Sequence, residues 1–290
     1  MSKGLVEAIT ELIKPQAPYW ACELTSKHVI VSGINSARTR ITNTFMEELP
    51  ANTSIVEAAR PVVGDLLQRA SFKGSEIAVV VPDASARIAF LSAESLSKTA
   101  EEQRAFIRWK LKKSVPFDVD TAQVAYRVLG PHRGGTGVDL LVALAPKSVV
   151  EEYETLFEPL DIHAGMVLPS TLAALNLLPP AEGDTLFVKV APDCVTTTVF
   201  QNQRVQFYRR VTDVSLYDAV YPTVLYYQDK LGGNALNRML VCDYDDEDLQ
   251  RPFDEIREKL GLTAIHIGPK GIPDIYKPAL GATHLRPEAL

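Results

Sequence analysis

Apolar residues recur along the chain at two spacings, and the switches between them lay out the elements. Residues 4–14 carry Leu5, Ile9, Leu12 and Ile13 on one helical face, with Glu7 and Glu11 among them, and Pro15 stops the run. Such a helix packs on its own domain or docks on a partner or membrane surface; its two acids make it a poor basic membrane helix. Residues 19–24, 28–34 and 38–47 read as an antiparallel meander. Helical spacing covers 54–70, with Pro61 inside it, and "EIAVVVP" (76–82) is a continuous β-branched run that marks a buried strand.

The next block changes character. "ARIAFLS" (86–92) reads as a strand, and 97–115 as a long helix capped by Ser97 or Thr99, with Phe106, Trp109 and Leu111 at apolar positions. Pro116-Phe117 ends it. "AQVAYRVLG" and "VDLLVALAP" form two strands joined by the glycine-rich "PHRGGTG", and 148–160 is a second amphipathic helix. This makes a β-α-β-β-α unit over 85–160. A strand at 162–169 and a short helix, "STLAALNLL", lead to a break at "PPAEGD" (179–184). The opening pattern then restarts: three strands over "TLFVKVAPDCVTTTVFQNQRVQFYRRV", a long helix containing Pro222, the strand "RMLVCD", the helix "EDLQRPFDEIREKLG" and the strand "TAIHIG". A meander followed by a helix therefore occurs twice.

Composition narrows the class. The 290 residues are 46% hydrophobic and 23% charged, with a net charge of −6, as in ordinary globular proteins. The acidic balance and the single small basic cluster, Lys110, Lys112 and Lys113, argue against nucleic acid. Cys22, Cys194 and Cys242 form no C-x-x-C pair, so they are expected as reduced buried thiols. The histidines at 28, 132, 163, 266 and 284 show no metal-ligand spacing, and no metal is expected. The N-terminus has no signal-peptide pattern, and no run approaches the ~20 apolar residues of a membrane span. A soluble intracellular protein is expected.

The stretch "IRWKLKKSVPFDVDTAQVAYRVLG", followed by "VDLLVALAPKSVVEEYETLFEPLDIHAGMVLPSTLAALNLL", resembles the PilM family, the cytoplasmic FtsA-like proteins of type IV pilus assembly. The matching positions are Trp109, Lys113, Val115, Pro116, Phe117 and the join Ala143-Leu144-Ala145-Pro146-Lys147. "VTTTVFQNQRVQFYRRV", "YYQDKLGG" (226–233) and "PALGATHLRP" (278–287), with Gly281, Leu285 and Arg286, extend the resemblance over about 18–287. It implies an α/β, two-lobed actin-like (ribonuclease H-like) ATPase fold. The first lobe would be 18–84 and 161–180, the inserted subdomain 85–160, the second lobe 181–290, and 1–17 a separate N-terminal helix. It further implies a cytoplasmic scaffold, peripheral to the inner membrane through a PilN-like protein whose tail binds in a groove beside the insert. Contacts with the pilus machinery and self-association would follow. Candidate groove residues are Phe106, Trp109, Leu111, Val115, Pro116 and Phe117.

An actin-like fold holds ATP between its lobes on two D-x-G turns, where glycine lets backbone N–H groups approach phosphate. The corresponding stretches here are Glu23-Leu24-Thr25-Ser26 and Lys189-Val190-Ala191-Pro192. Glutamate replaces aspartate in the first, lysine replaces it in the second, and neither turn keeps its glycine. A third element, two glycines after a strand, is replaced by Cys242, Asp243 and the acids 245–248. Gly281 completes the set of degenerate positions. The expectation is a pseudo-ATPase without a cofactor. Two alternatives remain: an ATPase or small-molecule kinase using ATP and Mg²⁺ with Glu23 as its acid, and a GspL-like cytoplasmic domain of type II secretion. "LNLLPP" (175–180) resembles the I-N-L-L-P tail of PilN but reads as the end of a helix.

Overall fold

A computed structural model describes residues 17–132, 135–179, 183–236, 238–244 and 249–285. The helix expected over 4–14, the acids 245–248, Arg286 and the centres of the breaks near 133 and 181 lie outside the described residues.

Two five-stranded sheets repeat one topology. The first joins β1 (Trp20–Leu24), β2 (His28–Ile34), β3 (Ile41–Glu48), β4 (Glu76–Val81) and β8 (His163–Pro169) in the order β3-β2-β1-β4-β8. The second joins β9 (Thr185–Val190), β10 (Val195–Gln201), β11 (Arg204–Val211), β12 (Arg238–Cys242) and β13 (Ala264–His266) in the order β11-β10-β9-β12-β13. In each, the meander is antiparallel and the later strands run parallel to its first strand. The first strand and its parallel neighbour are flanked by strands on both sides and largely buried, which is why they are mostly apolar, with Glu23 and Lys189 as the buried exceptions.

Helix α1 (Ile55–Arg69) starts at Ser54, whose hydroxyl accepts the Glu57 N–H, and packs Val63, Leu66 and Leu67 on the first sheet. In the second lobe α5 (Leu216–Asp229) starts at Ser215 in the same manner. Pro61 and Pro222 both lie on exposed helix faces, where the lost backbone bond costs least.

The insert is a three-stranded antiparallel sheet in the order β5-β7-β6, formed by β5 (Arg87–Ala93), β6 (Ala122–Pro131) and β7 (Val138–Pro146). Helix α2 (Ala100–Leu111), capped by Thr99, covers one face with Ile107 and Leu111 against Val124, Leu140, Val142 and Leu144. The helix expected over 148–160 stops early. It forms α3 (Lys147–Glu154), followed by the 3-10 turn Glu158–Leu160 and Asp161 at φ 55. Tyr153, Leu156 and Phe157 belong to the core of the first lobe, so the insert's own core ends with β7.

The C-terminal segment folds as α7 (Lys277–Ala282) after the 3-10 turn Asp274–Tyr276. It leaves the second lobe and packs on α4 (Ser170–Ala174) and on the first sheet. Small residues make this possible: Ala21, Ala78, Ala173, Ala279 and Ala282 share one buried cluster. A second cluster joins Ile34 and Leu177 of the first lobe to Phe187, Leu240 and Leu280 of the second. The two lobes therefore meet through continuous apolar packing. α6 (Gln250–Leu260) closes the outer face of the second sheet through Phe253 and Ile256.

Candidate functional site

The two meander turns face each other at the same end of the two sheets. In the β1–β2 turn the Thr25 N–H donates to the His28 carbonyl at 2.9 Å, and the Thr25 hydroxyl oxygen accepts from the N–H groups of His28 (2.8 Å) and Lys27 (3.2 Å). The threonine side chain thus takes up the donors that a phosphate would need. In the β9–β10 turn the Ala191 N–H donates to the Cys194 carbonyl at 2.9 Å, and Pro192 has no N–H to offer. The two turns close on themselves with equivalent bonds.

The side chains ahead of these turns have opposite charge. Glu23 and Lys189 are both almost fully buried. Burial raises the Glu23 carboxyl to about 7, against the pull of Lys189 and of the Ser170 hydroxyl that donates to it at 2.6 Å. Burial works against the Lys189 charge, yet the nearby Cys242, Glu23 and Asp83 leave it above the ordinary lysine value. The space they share with Thr25, His28, Pro192, Asp243 and Tyr244 is about 10 Å³, room for roughly one water.

Of two further buried acids, one bridges the lobes and the other gathers groups at the end of the second sheet. Asp83, just after β4, accepts from the Thr171 N–H (2.8 Å), the Thr171 hydroxyl (2.5 Å) and, across the lobe boundary, the Thr196 hydroxyl (3.3 Å). Asp274 accepts from the Asp243 N–H at 3.0 Å, from His266 at 2.8 Å and from Lys277. Burial would raise its carboxyl, but these donors hold it below the usual aspartate value. Asp243, His266 and Asp274 bring potential ligand atoms within 4.8 Å of one another, but the Lys277 ammonium and the other donors already serve Asp274.

A larger opening lies beside the insert. In β7 the register sets Leu141, Ala143 and Ala145 on the face away from α2, paired with Arg127, Ala125 and Gln123 of β6. This second apolar face looks onto β8, α3 and α4 across a continuous groove. One section of about 290 Å³ lies between Ala125, Ala143, Tyr153 and Met166. It opens into a section of about 600 Å³ bounded by Leu129, Leu172, Leu175, Phe200 and Arg204. At the other end it meets a section of about 580 Å³ lined by Pro116, Phe117, Asp193 and Arg210. The β10–β11 hairpin closes over the groove, where Arg204 donates to the Pro131 carbonyl at 3.4 Å.

The whole arrangement has counterparts among solved structures. The chain is similar to the PilM-PilN type IV pilus biogenesis complex, with a TM-score of 0.72 and 12% identity over 94% of this chain and 100% of that one. It is similar to a protein with an actin-like ATPase fold from Bacteroides thetaiotaomicron, with a TM-score of 0.61 and 12% identity over 92% and 96% of the two chains. The chain has the actin-like ATPase fold. The ethanolamine utilization protein EutJ from Carboxydothermus hydrogenoformans is similar at a TM-score of 0.50 and 8% identity over 96% and 94%. No protein-family model matches the sequence, and no curated protein matches it. The fold alone does not choose among the functions it carries.

Within the actin-like fold, most of the residues singled out from sequence reach the lobe boundary. Glu23, Thr25, Lys189, Pro192 and Asp243 line the small space, Ser26 is exposed on the turn, and Ala191 closes the second turn. Cys242 is buried behind them, its thiol pushed up by burial. Gly281 sits elsewhere, at the crossing of α7 and α4, where a Cβ would stand 2.1 Å from the Ala173 carbonyl oxygen. The expected partner residues divide. Leu111 is buried in the insert, and Phe106, Val115 and Phe117 pack against that core. Trp109 is 69% exposed on the outside. Of the six, Pro116 and Phe117 line the groove, because α2 lies on the opposite face of the sheet. Asp83, Asp274, His266 and Lys277 were not singled out as site residues. Their one signal is position, since Asp83 and His266 lie at the carboxyl ends of β4 and β13, where this fold gathers its polar groups.

Proposed function

We propose that this chain is a scaffold of a type IV pilus, or related secretion, inner-membrane assembly complex, and that its groove takes the cytoplasmic tail of a PilN-like membrane protein. The observation that carries the reading is the second apolar face of the insert sheet, set around Leu141, Ala143 and Ala125 and left uncovered above β8. A short apolar peptide fits such a slot through a few anchors. The likeness to the PilM-PilN complex supports this choice of partner over others. The protein would then be cytoplasmic and held at the membrane by its partner; no described helix is long and apolar enough to cross a membrane.

Nucleotide hydrolysis is not part of the proposed role. A space of about 10 Å³ between turns whose donors are already engaged speaks against bound ATP, as does a lysine where a metal-positioning acid belongs. Calorimetry tests both halves. A synthetic PilN-like tail, taken from a membrane protein encoded beside this one, is expected to bind at micromolar concentration. ATP with Mg²⁺ is expected to give no heat up to millimolar. Micromolar ATP affinity would return the ATPase or kinase reading to first place, and no heat with the tail would remove the pilus assignment.

A further inference from the structure

Strand β8 ends the first sheet, with β4 as its one strand neighbour. Their pairing slips between Ile77 and Ala78, where Gly165 is the extra residue. Beyond the slip, Met166, Val167, Leu168 and Pro169 stand in register with Ala78, Val79, Val80 and Val81. Successive residues of a strand aim their N–H and C=O groups to alternate sides, so about half of these groups point away from β4. Among the described residues no backbone hydrogen bond from another segment reaches that outer edge. The edge opens into the groove. Every residue of 164–169 lines its section of about 290 Å³. Their side chains nevertheless part: Ala164 and Val167 pack with the cluster of Leu66 and Phe157, and Met166 and Leu168 with the cluster of Ala173 and Ala279. Side chains that leave to opposite faces do not build one continuous wall; the strand edge, common to all six residues, does.

The open edge selects the occupant that serves it. A helix satisfies its own backbone groups and would bury the edge unpaired, at a cost for each group left without a partner. An extended segment offers an N–H or a C=O to each of them. Ala125, Ala143 and Ala145 line the same section from the insert side, and their short side chains leave depth for one further strand. Charge adds a second mark. Arg127 and Arg204 line the wide section together with Met166 and Leu168. No ion pair joins either arginine to a carboxylate among the described residues, so a carboxylate on the occupant complements them. We propose that the partner tail binds as an added strand on β8. Its backbone pairs with Met166, Val167 and Leu168, alternate side chains lie against Ala125 and Ala143, and an acidic residue points toward Arg127 and Arg204. The pairing rests on the reading of the groove as the site of a membrane protein's tail; it adds the conformation of that tail and the groups that read it.

The test is calorimetry on the full chain with the synthetic PilN-like tail and with analogues in which one amide at a time is replaced by an ester. An ester removes a single N–H without adding bulk. Pairing on β8 predicts an affinity loss of about three- to tenfold at every second position of the tail, and about twofold or less at the positions between. Hydrogen exchange in the complex should slow at least about tenfold at those amides of 166–168 that β4 leaves unpaired, with a smaller change at 126–129. Raising ionic strength from about 0.1 to 1 M should weaken tail binding about threefold. Heat without a two-residue period, or protection that falls on 126–129 in place of 166–168, overturns the added strand and leaves the pilus partner standing. No heat with the unmodified tail removes the partner reading, and the pairing with it. An affinity that salt leaves unchanged overturns the acidic contact.

Discussion

The lobe boundary and the insert groove are two spaces of one molecule built on opposite principles. At the boundary, charged and hydroxyl groups from both lobes converge and serve one another, and about 10 Å³ is left. Beside the insert, sections of about 290 to 600 Å³ stay open between apolar walls. The reason lies in topology. Parallel strands deliver polar residues to their carboxyl ends, where two sheets set end to end must pair or hydrate them. A three-stranded sheet has two faces and here only one helix to cover them. The first space is closed by polar groups that mostly serve one another, although the Glu23 Oε2 is buried without a hydrogen-bond partner; the second is open because only one face of the insert sheet carries a helix.

The comparison breaks most severely if the boundary tolerates loss of its cation. Lys189→Ala leaves Glu23 and Asp83 buried without it. Removing one partner of such a group costs about 3–5 kcal/mol, and the loss should approach that at pH 8, where Glu23 is ionised. At pH 5 the cost should be smaller, because Glu23 carries its own proton. Urea unfolding at the two pH values checks this. A loss under about 1 kcal/mol at pH 8 would mean that water already reaches the boundary and that the space is not closed. The double change Glu23→Gln, Lys189→Met should recover most of the stability, since neither charge is then buried.

Glu23 alone supplies the next effect. Its carboxyl is raised from 4.5 to about 7 by burial, so its neutral form favours the folded state. The sign follows from linkage: stability falls as pH rises from about 4.5 to about 7, where the unfolded chain has released the proton and the folded chain has not, and it is flat above. The total is on the order of 3 kcal/mol. Glu23→Gln keeps an acceptor for Ser170 and should remove this slope. A variant with the wild-type slope would place the titration elsewhere.

The groove should respond in the opposite way. Ala143→Glu puts a carboxylate on its apolar wall, at a half-buried position away from the insert core. Stability should change by less than about 0.5 kcal/mol. Tail affinity should fall at least about tenfold, or roughly 1.4 kcal/mol. Equal losses in stability and binding would show that this wall is ordinary core.

Much of this was legible in the sequence, and the failures have physical causes. β2 and β7 were read at their observed bounds because continuous or alternating apolar runs admit few other solutions. α7 was missed because Lys277-Pro278-Ala279-Leu280-Gly281-Ala282 has little helical period; close packing against Ala173 holds it, and only neighbours absent from the local sequence specify that. The turns could be located from Glu23 and Lys189, whereas Asp83, Asp274, His266 and Lys277 meet only after both sheets have formed. The groove was expected on the α2 side, where aromatic residues are conspicuous. The better signal was in β7, where Leu140, Val142 and Leu144 alternate with Leu141, Ala143 and Ala145. A strand apolar on both faces asks for two covers.

The smallest effect separates the closed boundary from its rim. Hydrogen bonding to Asp274 raises the His266 pKa above 6.5, although the ring is about half exposed. A histidine with a raised folded pKa lends stability that is fully present below its unfolded value and lost as pH rises through the folded one, so this loss begins near 6.5 and runs upward. With this much solvent the contribution should be only about 0.5 kcal/mol. It adjoins the Glu23 window and has the same sign, so pH alone does not divide the two. Salt does. Raising ionic strength from about 0.1 to 1 M shortens the screening length from about 10 to 3 Å and should shrink the His266 slope, while the slope of buried Glu23 persists. Stability followed from pH 6.5 to 8.5 in wild type and His266→Gln, at both salt concentrations, reads this directly. A His266 slope that salt leaves intact would place the rim inside the closed boundary.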